Sequence, residues 1–131
     1  MPARIFLFLS SAYTCLILWL SLTHLGKISI AGFNPTDKML HAGAYLFLAL
    51  LWEFYILLKR KDFKQYRANV LWVALACFIF GMLIEVLQGT LTSYRTPDWF
   101  DILANSTGIG LAVLIFLGFA SLLKNLKQKL G

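Results

Sequence analysis

Cysteine is scarce in this chain. Among 131 residues there are two, Cys15 and Cys77, and both lie inside apolar runs. A buried free cysteine acts as a small hydrophobe, so a disulfide framework is not expected. Acidic residues are few as well, six against twelve lysines and arginines, for a net charge of +6. In a soluble protein such an excess would raise nucleic acid as a partner. No zinc-finger, helix-turn-helix or RNA-binding pattern is present, and no nucleic-acid partner is expected. No HExxH or other contiguous metal-ligand motif occurs. Internal repeats and low-complexity segments are also lacking, and nothing marks a second domain.

Hydrocarbon is what the chain has in abundance. It is 60% hydrophobic, with mean hydropathy +0.74, where soluble domains are nearer half apolar. The excess falls in four long runs, which makes this a multi-pass integral membrane protein of one compact unit, residues 1–131. The expected fold is all-α: a four-transmembrane-helix bundle with helices over about 5–25, 38–58, 69–88 and 98–123. The first run is too long for a signal-peptide core and reads as a retained span. Asn34-Pro35 and Thr96-Pro97 read as an N-cap followed by proline at the first helical position, opening the second and fourth helices. A short basic tail follows the fourth.

Charge sets the expected orientation. Arg4, the linker cations Lys59, Arg60, Lys61, Lys64 and Arg67, and the tail lysines Lys124, Lys127 and Lys129 fall on one side. Lys27, Lys38 and Arg95 fall on the other. On short loops this bias predicts both termini in the cytoplasm, with loops 26–38 and 89–97 outside. Trp52, Tyr55 and Trp72 then approach the inner interface, and Trp19 and Trp99 the outer one.

With this topology, residues far apart in sequence reach one membrane depth. Lys38, His41 and Tyr45 share a face at the outer end of helix two. Glu85 and Gln88 share a face at the outer end of helix three. Arg95 lies in the next loop. Asp98, Asp101 and Asn105 form a stripe that Gly108 and Ala112 continue along helix four. Polar groups at the entrance to hydrocarbon are costly and by default suggest a site. Taken singly, Asp37 and Asp98 fit helix caps, since acids favour helix N-termini. His41, Glu85, Asp101 and Asn105 together are expected to line one pocket, with helix one packed peripherally. Ala104, Gly108 and Ala112 fit close helix packing. Glu53, toward the inner end of helix two, is expected to pair with snorkelling Lys59 or Arg60.

The order and spacing Asp37-Lys38-x-x-His41-x-x-x-Tyr45, Glu85-x-x-Gln88 and Arg95-x-x-Asp98-x-x-Asp101-x-x-x-Asn105-x-x-Gly108 resembles the VanZ-like family over about residues 35–118. The resemblance implies a small polytopic protein of the bacterial inner (cytoplasmic) membrane. The family's namesake is an accessory factor in low-level resistance to the glycopeptide teicoplanin, which acts on lipid-linked cell-wall precursors outside the membrane.

Two functional readings follow. In the first, the protein binds or modulates a lipid-linked cell-wall precursor or another anionic lipid at its outer face, with Lys38 and Arg95 as phosphate partners. In the second, it is a membrane-embedded hydrolase or transferase acting on a lipid headgroup. A histidine beside carboxylates permits general acid–base work, and the same oxygens permit a divalent cation. No cofactor is evident from the residues. A proton-coupled transporter is the weaker third reading, because no continuous polar path connects Glu53 to the outer cluster.

Overall fold

The computed structural model describes residues 2–22, 37–60, 64–91 and 99–130. Among them all regular structure is helical: α1 (Pro2–Leu22), α2 (Asp37–Lys59), α3 (Tyr66–Leu91), α4 (Trp99–Gly118) and α5 (Ala120–Leu130). Three helices are long and apolar enough to cross a membrane, over Pro2–Leu20, Met39–Lys59 and Tyr66–Leu87. A fourth span is supplied if α4 and α5 are counted as one broken helix.

Three hydroxyl groups inside the apolar runs find a carbonyl one turn back, whereas the buried Ser10 hydroxyl has no hydrogen-bond partner among the described residues. Thr14 donates to Ser10 O at 2.7 Å, Ser106 to Ile102 O at 2.8 Å and Thr107 to Leu103 O at 2.9 Å. In hydrocarbon such local bonds are the cheapest way to satisfy a polar side chain.

α2 is the hub. It packs on α1, α3 and α4, and its C-terminal end also meets α5. α1 rests mainly on α2 and to a lesser degree on α3. Between these helices Tyr45, Leu48, Ala49, Cys77, Ile84, Ile109 and Ala112 are buried together. A second buried group, Leu57, Tyr66, Val70, Phe116 and Leu123, closes the end of the bundle that bears the basic linker. The outer surface is as greasy as the interior: Phe8 is 73% exposed, and Trp72 and Leu114 are 68% exposed. Apolar surface on this scale is what a lipid solvent requires and water does not tolerate. Polar contacts also join helices among the described residues. Tyr13 donates to Ala44 O at 2.9 Å, and the Trp52 indole to Thr14 Oγ1 at 3.0 Å, tying α1 to α2.

α2 and α4 approach backbone to backbone at Gly108. A Cβ there would overlap the Ala42 carbonyl oxygen and stand 2.9 Å from the Leu46 nitrogen. Gly108 and Ala112 are both buried in this contact, so small residues set the helix separation here.

The fourth apolar run departs from its expected form. The sequence predicts one helix to about Leu123 and a basic tail. The structure ends α4 at Gly118 and turns 74° into α5. Gly118 has no side chain and is a weak helix former. The Tyr66 hydroxyl donates to the Phe116 carbonyl, which in an unbroken helix would accept the Ala120 N–H. α5 is amphipathic: Leu123 is buried against the bundle, while Lys124 and Lys129 are exposed. Lys127 donates to the Leu57 carbonyl at 2.7 Å, capping the end of α2.

Candidate functional site

α2 carries a buried stripe at four-residue spacing: half-buried His41, then Tyr45, Ala49, Glu53 and Leu57, all buried. Such spacing keeps side chains on one face, drifting slowly around the helix. This face looks toward α3 and α4. Its upper half builds the candidate site, and its lower half holds Glu53.

The site is layered. In the inner layer, Gly81 of α3 brings its bare backbone against two side chains. A Cβ there would lie 3.0 Å from the Tyr45 ring and 3.1 Å from Asn105 Nδ2. Tyr45, Gly81 and Asn105 therefore meet from three helices. Tyr45 and Asn105 are each 3% exposed. One turn nearer the helix ends, His41 Nδ1 and Asn105 Oδ1 are 3.1 Å apart. With the amide oxygen as acceptor, Nδ1 carries a proton and donates. Glu85 stands one turn beyond Gly81 on α3, 3% exposed and within electrostatic reach of Tyr45.

Of the residues singled out by sequence, His41, Tyr45, Glu85 and Asn105 are thus placed around one centre. Lys38 is in the first turn of α2, Gln88 in the last turn of α3, and Asp101 one turn before Asn105 on α4. The side chains of these three lie outside the described part of the structure, as do Arg95 and Asp98 entirely. Among the described residues, no three His, Cys, Asp or Glu side chains are grouped to hold a metal ion.

Gly81 is the member of this centre that residue chemistry does not announce. A glycine inside an apolar run, four residues before a buried acid, is the signal that points to it. The structure also corrects the reading of Glu53. No ion pair with Lys59 or Arg60 forms. Both carboxyl oxygens are buried and lack a hydrogen-bond partner among the described residues. The Lys59 ammonium lies instead 5.5 Å from the centre of the Tyr55 ring. Position 59 is six residues on, about two-thirds of a turn around the helix from Glu53, so Lys59 is poorly placed to pair. Arg60, seven residues on, shares the face of Glu53 yet makes no bond to its carboxyl group.

Fold and centre define a class: a small helical membrane protein whose three inner helices share a buried polar layer near one end. A model of the VanZ/LLP1 family matches residues 5–123. The chain belongs to the VanZ/LLP1 family. That match takes in α1 and reaches the start of α5, more of the chain than the motif residues cover. An uncharacterized protein of the yeast Schizosaccharomyces pombe is 39% identical over 93 residues, 64% of this chain and 52% of the yeast protein. The chain thus spans about half the length of that relative. No solved structure matches.

Proposed function

We propose that the His41–Asn105 layer is a headgroup-recognition site. In this reading the protein binds or modulates a lipid-linked ligand of the cell envelope from the extracytoplasmic side. The observation behind it is the convergence of His41, Tyr45, Glu85 and Asn105 from three helices, with the His41–Asn105 bond at 3.1 Å. A polar bond between membrane helices is worth only about 0.6 kcal/mol on average. Four polar or ionisable side chains drawn to one place are more than packing needs, so recognition is the better account of them.

The ligand class follows from charge. Lys38 and Arg95 sit on the same side as this layer by the positive-inside assignment, and both are partners for phosphate. His41 and Asn105 supply hydrogen-bonding groups that suit the polar part of a headgroup. An anionic lipid, or a lipid-linked precursor carrying a pyrophosphate, satisfies both requirements. The link to glycopeptide resistance implied by the family resemblance belongs to this reading, since that antibiotic acts on such precursors. The inner (cytoplasmic) membrane of a bacterium is the corresponding location.

The test is to purify the full-length protein and identify bound lipid by mass spectrometry, alongside His41→Ala and Asn105→Ala. One lipid species should be enriched over bulk membrane in the wild type and reduced at least about tenfold in both variants, the effect of removing about 1.4 kcal/mol of recognition. Equal lipid profiles in all three proteins would reject the proposal.

A further inference from the structure

Glu53 is 2% exposed and sits eight residues beyond Tyr45 on the buried face of α2. Glu53 lines a small cavity between α2 and α3, with about 10 Å³ open to the centre of a water molecule. That is room for roughly one water. Arg60, Tyr66 and Asn69 supply the cavity's other polar groups. Arg60 is exposed, so the cavity leads toward the end of the bundle that carries the basic linker.

The surroundings restrict the state of this acid. Along α2 the nearest charge on its face is Arg60, which lines the cavity. From α3, Tyr66 and Cys77 lie within electrostatic reach. Tyr66 already gives its proton to Phe116 O, and Lys127 of α5 gives one to Leu57 O. α4 has no charged residue between Ile102 and Gly118, and α1 has only Arg4. An ionised carboxylate with neither a bonded donor nor a paired cation is among the costliest groups to bury. A neutral acid donating to one water in the cavity avoids that cost. Tyr66 and Asn69, which line the cavity, would offer such a water further polar partners.

We propose that Glu53 is a proton-binding site, loaded and emptied through this cavity from the side of the basic linker. The step is a simple proton transfer. Hydronium in the cavity gives its proton to a carboxylate oxygen of Glu53, one O–H bond forms as another breaks, and water remains. Release is the reverse. The proposal does not depend on the headgroup site, because it uses different residues at the other end of α2.

Infrared spectroscopy of the full-length protein in lipid nanodiscs tests it. At neutral pH the wild type should show the C=O stretch of a protonated carboxyl, and the band should lose intensity in the isosteric variant Glu53→Gln. A wild-type minus Glu53→Gln difference without that band would overturn the proposal. Titration of the wild type alone gives a second reading that needs no variant. The band should convert to carboxylate bands in alkali, and a protein showing only carboxylate from mildly acidic pH upward would refute it. Sidedness is read with Asn69→Cys in a background lacking Cys15 and Cys77. This thiol should react with an impermeant reagent only from the face on which a cysteine at Lys64 reacts. Reaction from the opposite face alone, or from neither, would eliminate the cavity as the route.

Discussion

Gly108→Ala is the sharpest probe of how this bundle is held together. The added methyl would overlap the Ala42 carbonyl oxygen and lie 3.0 Å from its carbon and 2.9 Å from the Leu46 nitrogen. All three are backbone atoms, and no rotamer change can move them aside. α2 and α4 must separate, at the about 1–3 kcal/mol that overpacking typically costs. Alanine also improves helix propensity by about 1 kcal/mol over glycine. Gly110→Ala provides the control, since nothing lies within 4 Å of a Cβ built there. The propensity gain is common to both variants. Their difference therefore isolates the helix–helix clash and should be about 1–3 kcal/mol.

Denaturant unfolding in detergent micelles, followed by far-ultraviolet circular dichroism, measures that difference. Gly108→Ala should unfold earlier than the wild type, and Gly110→Ala at the same point or later. A second consequence is functional. Ala42 adjoins His41, and Gly108 follows Asn105 by one turn, so separating the backbones here stretches the 3.1 Å His41–Asn105 contact. Lipid retention should fall in Gly108→Ala and persist in Gly110→Ala. If the two variants unfold within about 0.5 kcal/mol of each other, the range of ordinary surface substitutions, the close approach of α2 and α4 is not what organises the fold.

Two further outcomes are expected. A cysteine at Ser93 should be labelled by an impermeant thiol reagent in intact cells and one at Lys64 should not, and the opposite pattern would reverse the orientation. Tyr66→Phe removes the donor held by the Phe116 carbonyl at the α4–α5 bend. It should destabilise the protein by about 1–3 kcal/mol, the cost of an unsatisfied buried acceptor, and a thermal unfolding midpoint unchanged from wild type would contradict that role for Tyr66.

Much of the helical layout was legible because hydrocarbon length is a blunt and reliable signal. α2 spans Asp37–Lys59, close to the expected 38–58. α3 begins at Tyr66, three residues before the expected start, because the basic linker is shorter than its charges suggest. The bend after Gly118 was not legible from hydropathy, since Leu122 and Leu123 continue the apolar count. Its signal lies in periodicity: beyond Ala120, Leu122, Leu123, Leu126 and Leu130 share one arc and the lysines fall outside it, in a helix that no longer needs to be apolar all round. At the candidate site, face-sharing arguments place His41, Tyr45, Glu85 and Asn105 near one another, because polar groups in hydrocarbon have few other places to go. They do not reveal Gly81, whose contribution is the absence of a side chain.

Glu85 and Glu53 show where such arguments end. Each is a glutamate in a membrane helix, and their exposures are 3% and 2%. Composition and periodicity treat them alike. Topology sets them at opposite ends, and the tertiary structure adds their surroundings: Glu85 sits one turn beyond Gly81, beside the His41–Tyr45–Asn105 layer, whereas Glu53 lines a water-sized cavity that leads toward Arg60. Along α2 the layer and the acid are eight residues apart from Tyr45 to Glu53, or about 12 Å. Sites more than about 7–10 Å apart without shared partners act nearly independently. Two things join them here: Cys77, within electrostatic reach of both Tyr45 and Glu53, and the helix itself. α2 presents His41 and Tyr45 to α3 and α4 at one end and Glu53 to α3 at the other. A change in the charge of Glu53 can therefore reach the layer electrostatically, with Cys77 within reach of both, or by shifting α2 as a body, a movement that the Gly108 contact with Ala42 and Leu46 opposes.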